Sequence, residues 1–77
     1  MIEVTLTMHG NLRRFLPDGR GSTRLTVPKG ATLRRVIEAV HAEHDVWLIA
    51  LNGTVAPVWA LVTADDRIDC FEHLEGG

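Results

Sequence analysis

Apolar and polar residues alternate from the start of the chain, with Ile2, Val4, Leu6 and Met8 separated by Glu3, Thr5 and Thr7. A period of two marks a strand with one buried and one wetted face. Leu12, Phe15 and Leu16 then recur at helical spacing within Asn11–Leu16, and PDGRGS follows as a loop rich in chain-breaking residues. Alternation resumes at Thr23, Leu25 and Val27, and Pro28, Lys29 and Gly30 close this second strand. Thr32 is a good N-cap, and Leu33, Val36, Ile37 and Val40 fall on one stripe at i, i+3, i+4 and i+7, predicting the only long helix, which runs to about Glu43. The stretch VWLIAL from Val46 to Leu51 is β-rich and apolar on both faces, and Asn52-Gly53 after it is a turn signal. Trp59 and Leu61 point to a short fourth element, Ala64-Asp65-Asp66 to a turn, and Arg67–Phe71 to a last strand with Ile68 and Cys70 on one side. One helix and one sheet of four or five strands can bury their apolar faces only against each other, which gives a two-layer α+β fold. The second face of the sheet must meet water or a partner.

Composition narrows the function classes. A length of 77 residues with 45% hydrophobic content leaves room for one core and no separate catalytic domain. A formal charge of -2 provides no basic stripe for nucleic acid. The longest apolar stretch, Val46 to Leu51, is too short to span a bilayer, and the start carries no signal-peptide pattern, so a cytoplasmic location is expected. The single cysteine, Cys70, excludes an intrachain disulfide and a multi-cysteine zinc site; its parity in the last strand makes it a small core residue rather than a reactive thiol. His41 and His44, at i and i+3, lack a third ligand nearby and read as a solvated helix end, so no metal is expected. His9 and His73 stand single and uncommitted, His73 reaching either a bound nucleotide or only water. Arg13, Arg14, Arg34 and Arg35 read as solvated faces, the alternative being an acidic partner patch. No Ser-His-Asp or Cys-His arrangement and no phosphate-cradling glycine loop is present, so the chain is not expected to be an enzyme by itself.

The sequence closes on Glu72-His73-Leu74-Glu75-Gly76-Gly77. Two closing glycines fit a frayed terminus or a cloning scar. Taken with the strand order, the single central helix, Asn52-Gly53 after the third strand and the acidic turn Asp65-Asp66, however, the ending resembles the ubiquitin-like β-grasp fold. Within that fold the chain is similar to the prokaryotic sulfur carriers of the MoaD/ThiS type, the small subunit of molybdopterin synthase and the sulfur carrier of thiamine biosynthesis. The resemblance implies a β-grasp domain over residues 1–72 and a tail over 73–77. It also implies that the chain binds no cofactor itself. An E1-like adenylating enzyme spends ATP on the Gly77 carboxylate, and a sulfur donor then displaces AMP to leave a thiocarboxylate. The large subunit of a synthase, most naturally that of the molybdopterin (molybdenum or tungsten) cofactor, receives the sulfur. The chemistry is coherent, because an ionised carboxylate is a poor acyl donor until adenylation makes its oxygen a leaving group. Gly76 and Gly77, without Cβ atoms, can thread a narrow site where a side chain would clash.

A docking surface follows from strand parity. If Trp47, Ile49 and Leu51 face the helix, Leu48 and Ala50 face outward, and burying Ile68 and Cys70 turns Phe71 outward as well. In the resembled fold the third and last strands are neighbours, so Leu48, Ala50 and Phe71 form one apolar patch at the root of the tail. Ordinary packing is the alternative for each. Leu74 keeps an apolar position that the resembled molybdopterin subunits have in this segment, whereas Glu72 and Glu75 add acids that favour a basic partner channel. The thiamine-pathway carrier, a ubiquitin-like modifier joined through Gly77 to a lysine, and a non-covalent β-grasp binding module are the competing functions.

Overall fold

A computed structural model describes residues 1–73. Leu74, Glu75, Gly76 and Gly77, and with them nearly all of the expected tail, lie outside the described residues. Strands β1 (Ile2–Met8) and β2 (Ser22–Val27) pair antiparallel, with Ile2 opposite Val27 and Thr7 opposite Ser22. Helix α1 (Leu33–Ala39) follows, then β3 (Leu48–Leu51), β4 (Thr54–Val55) and β5 (Arg67–Phe71). The five strands form one mixed sheet in the order β2-β1-β5-β3-β4, in which β5 runs parallel to β1 and antiparallel to β3. Leu33, Val36 and Ile37 of α1 are buried in one cluster with Val4, Leu6, Met8, Val27, Ile49, Ile68 and Cys70, and Ile2 and Val40 pack against its rim. The expected two-layer α+β arrangement is what forms. Among the described residues no helix is long and apolar enough to cross a membrane.

The segment between β1 and β2 forms 3₁₀ turns over Gly10–Phe15 and Pro17–Gly19. It is tied down from within, since Leu12 and Leu16 are buried and Phe15 packs against the core.

Three boundaries differ from the sequence expectation. The helix stops at Ala39 rather than near Glu43, because His41 adopts φ +62° and the chain closes a Schellman turn. The His41 N–H donates to the Glu38 carbonyl at 3.0 Å, the Ala42 N–H donates to that of Ile37 at 3.2 Å, and Ala42 is fully buried beneath the turn. The third strand begins at Leu48 rather than Val46, and Trp47, expected on the covered face, is 61% exposed. The fourth strand is Thr54–Val55 instead of an element at Trp59 and Leu61; Leu61 makes only an isolated bridge to Thr32, and Trp59 is 74% exposed.

The β3–β4 connection is a two-residue turn in which Asn52 and Gly53 take φ +51° and +86°, the pair that such a hairpin demands. Asn52 also anchors β5: its Oδ1 accepts from the Arg67 N–H at 2.8 Å and its Nδ2 donates to Asp66 Oδ1 at 2.9 Å. Asp66 Oδ2 accepts from the Thr63 N–H at 2.7 Å. Partial burial pushes the Asp66 carboxyl up, but the hydrogen bonds from Asn52 and Thr63 outweigh it and hold the group below its ordinary value of 3.8.

Candidate functional site

The register determines which side chains share the uncovered face, since residues directly opposite in a ladder point the same way. Phe71 lies opposite Leu48, and Asp69 lies opposite both Thr7 and Ala50, with Ala50 in turn opposite Val55. The predicted residues Phe71, Leu48 and Ala50 therefore do meet at one corner of the open face. All three are half-buried rather than fully exposed. Val55 joins them at 63% exposure; no periodicity flagged it, because a two-residue strand has none. The β1–β2 half of the same face is polar, with Arg24 donating to Glu3 Oε1 at 2.7 Å and to Thr5 Oγ1 at 3.2 Å. An apolar corner beside a polar field is the form that docking sites commonly take.

His9, uncommitted in the sequence, belongs to this corner. Its N–H donates to the Cys70 carbonyl at 3.1 Å, extending the β1–β5 ladder one step past Met8 and bringing the side chain alongside Phe71. The two rings stack with centroids 4.5 Å apart and planes at 9°, and His9 Nε2 lies 2.8 Å from Asp69 Oδ1. The carboxylate fixes the imidazole orientation and the imidazole covers one face of Phe71.

The chain leaves β5 between further contacts. The Trp47 N–H donates to the Phe71 carbonyl at 2.8 Å, and the Trp47 indole meets the His73 ring nearly perpendicular, centroids 5.0 Å apart and planes at 79°. The Glu72 side chain rests on Gly10, where a Cβ would stand 3.1 Å from its Oε1. Gly10 is also held at φ +62°, the left-handed region that favours glycine. Glu72 and His73 line an open groove of about 900 Å³ together with Arg13 and Arg14. Both arginines are partly engaged: Arg13 Nε donates to the Gly19 carbonyl at 3.1 Å, and Arg14 reaches Asp45 Oδ1 at 3.3 Å while lying over the Phe15 ring. Arg34 pairs with Glu38 one helical turn on at 3.5 Å, and Arg35 is exposed.

The remaining candidates lie elsewhere in the fold. Cys70 is fully buried, and burial, helped by the Asp69 charge, pushes its thiol up to about 12, leaving no thiolate to react near neutral pH. His41 and His44 lie beyond the end of α1 and are exposed. Among the described residues no group of three or more His, Cys, Asp or Glu is placed to hold a metal ion.

Comparison with known proteins places this geometry in context. The model of a family described as Mut7-C ubiquitin matches residues 1–75. Among solved structures, a putative molybdopterin converting factor subunit 1 from Pyrococcus furiosus superposes with a TM-score of 0.78 at 19% identity, covering 96% of this chain and 100% of its own. Small archaeal modifier protein 1 of Haloferax volcanii superposes with a TM-score of 0.81 at 17% identity, covering 96% of this chain and 100% of its own. A search of curated proteins finds no match. The likenesses confirm the ubiquitin-like β-grasp fold that the sequence resembles.

Proposed function

Because the chain belongs to the Mut7-C ubiquitin family, we propose that it is a ubiquitin-like carrier, activated at the carboxylate of Gly77 and delivering sulfur to the synthase of a sulfur-containing cofactor, in the first instance molybdopterin. The supporting observation is the junction of docking corner and exit: Phe71, which lies opposite Leu48, is the last residue of the central strand, two positions before the last described residue. A partner that grips the Leu48, Ala50, Val55 and Phe71 corner thereby receives the segment from Leu74 to Gly77. The names of the compared structures, a molybdopterin converting factor and a small archaeal modifier, fit a carrier of this kind.

In this reading the chain supplies recognition and the reacting carboxylate and is not itself an enzyme. An E1-like adenylating enzyme in the cytoplasm joins AMP from ATP to Gly77 with release of pyrophosphate. A sulfur donor then expels AMP, and the thiocarboxylate is carried to the large subunit of the synthase. Gly76 passes the narrowest part of the partner's channel, Leu74 adds an apolar contact and Glu75 meets a basic lining. Ordering such a segment opposes binding, so the affinity comes from the folded corner behind it.

The test is the mass of the intact protein after incubation with ATP, the adenylating enzyme and a sulfur source. One oxygen at Gly77 should be replaced by sulfur. Deleting Gly77 should abolish the product, since it withdraws the carboxylate by roughly 3.5 Å, more than attack geometry tolerates. An intact protein that no adenylating partner modifies refutes the carrier reading and leaves a non-covalent docking module. A lysine amide on other proteins from native cells replaces it with the modifier reading.

A further inference from the structure

Trp47 is the anomaly of the molecule. It has the parity of buried Ile49, yet it is 61% exposed immediately before β3 begins. Its indole has one aromatic neighbour among the described residues, the ring of His73, and its main-chain N–H makes the bond to the Phe71 carbonyl. Phe71 at the end of β5 and the two residues after it thus each meet a different element. Phe71 is stacked under His9 from the end of β1, Glu72 lies on Gly10 of the 3₁₀ turn, and His73 meets Trp47 at the start of β3. Of the described residues His73 is the last, and its aromatic neighbour is Trp47.

We infer that Trp47 is a positioning residue, whose edge-on contact with His73 fixes the point from which the chain continues toward Gly77. The inference rests on the carrier reading. From His73 to Gly77 the chain can extend at most about 14 Å, so fixing His73 confines the carboxylate to a sphere of that radius about it. A root free to move enlarges that volume, and the partner must then select from it at an entropic cost to binding. A root already fixed lowers that cost. The effect belongs to encounter and binding, and leaves adenylation itself untouched once the carboxylate is seated.

The experiment has a spectroscopic arm and a kinetic arm. In the isolated protein, the His73 ring-proton resonances should move on Trp47→Ala and partly return in Trp47→Phe, which restores an aromatic neighbour. In pyrophosphate exchange by the E1-like enzyme, Trp47→Ala and His73→Ala should each raise the KM for the carrier roughly threefold to tenfold with kcat unchanged. The double variant should be no worse than the worse single variant, because both remove the same contact. His73 resonances that do not move, with normal adenylation of the unmodified protein, overturn the positioning role alone. Additive losses in the double variant also overturn it, since they mean that Trp47 touches the partner directly. A protein that no enzyme adenylates removes both this role and the carrier reading, even when the spectral shift confirms the contact.

Discussion

Replacing Phe71 by alanine separates a docking residue from a core residue by magnitude. Phe71 is half-buried on the open face, so truncation forfeits about half the burial value of such a side chain, roughly 1 kcal/mol. The parallel stack with His9 at 4.5 Å adds about 0.5–1.5 kcal/mol. No cavity contribution arises, because that face is open to water. The expected loss is about 1.5–2.5 kcal/mol, out of a total of about 4–12 kcal/mol for a domain of this length, with Tm falling by about 10 °C. Urea unfolding with an unchanged m-value measures the loss, and a double-mutant cycle with His9→Ala should return a coupling of about 0.5–1.5 kcal/mol. Partner binding should fall by more than the loss in stability, about 2 kcal/mol or beyond, as at an interface anchor. A stability loss above about 4 kcal/mol would mean that Phe71 is a core residue, and a coupling near zero would mean that the stack contributes nothing.

Other expectations follow from local chemistry. Because the folded Asp66 carboxyl sits below 3.8, the stability it contributes should be complete above about pH 5 and vanish as pH falls through its folded value; the stability gap to Asp66→Asn, followed by urea melts, should close in acid. With its thiol pushed from 9.0 to about 12, Cys70 should resist iodoacetamide at about pH 8 in the native protein and react only as urea unfolds it, and rapid native labelling would contradict its burial. His41→Gly should raise stability by about 0.5–1 kcal/mol in thermal melts, since the residue stands at φ +62° where glycine carries no steric penalty; a lower Tm would show that the imidazole makes a contact worth more than the strain.

Much of the fold could be read from single residues. Strands β1, β2 and β5 face a core on one side and water on the other, and that contrast is written into alternating residues such as Val4, Thr5 and Leu6. Parity also placed Ile49 inward and Leu48 outward. It failed at Trp47 because alternation identifies a face without saying that anything covers it at that position. The helix end was hidden because His41, not glycine, takes the left-handed turn, so the usual stop signal is missing. Strand β4 has only two residues and is created by the hairpin turn and its register. The same limit applies to the site: Phe71 and Leu48 were visible by parity, but His9 enters only once β1 and β5 are aligned residue against residue, and that alignment depends on contacts far apart in sequence.

The placement of β5 also has a mechanical consequence. It lies between β1 and β3 and points the same way as β1. Tension applied at His73 against a hold at Ile2 draws these two parallel strands past each other, so their cross-strand bonds are strained together rather than opened one at a time from an end. Slippage along β1 would also have to break the ladder to β3 in the same movement. A partner that grips the segment beyond His73 and pulls should therefore reorient the whole domain before it loosens the sheet.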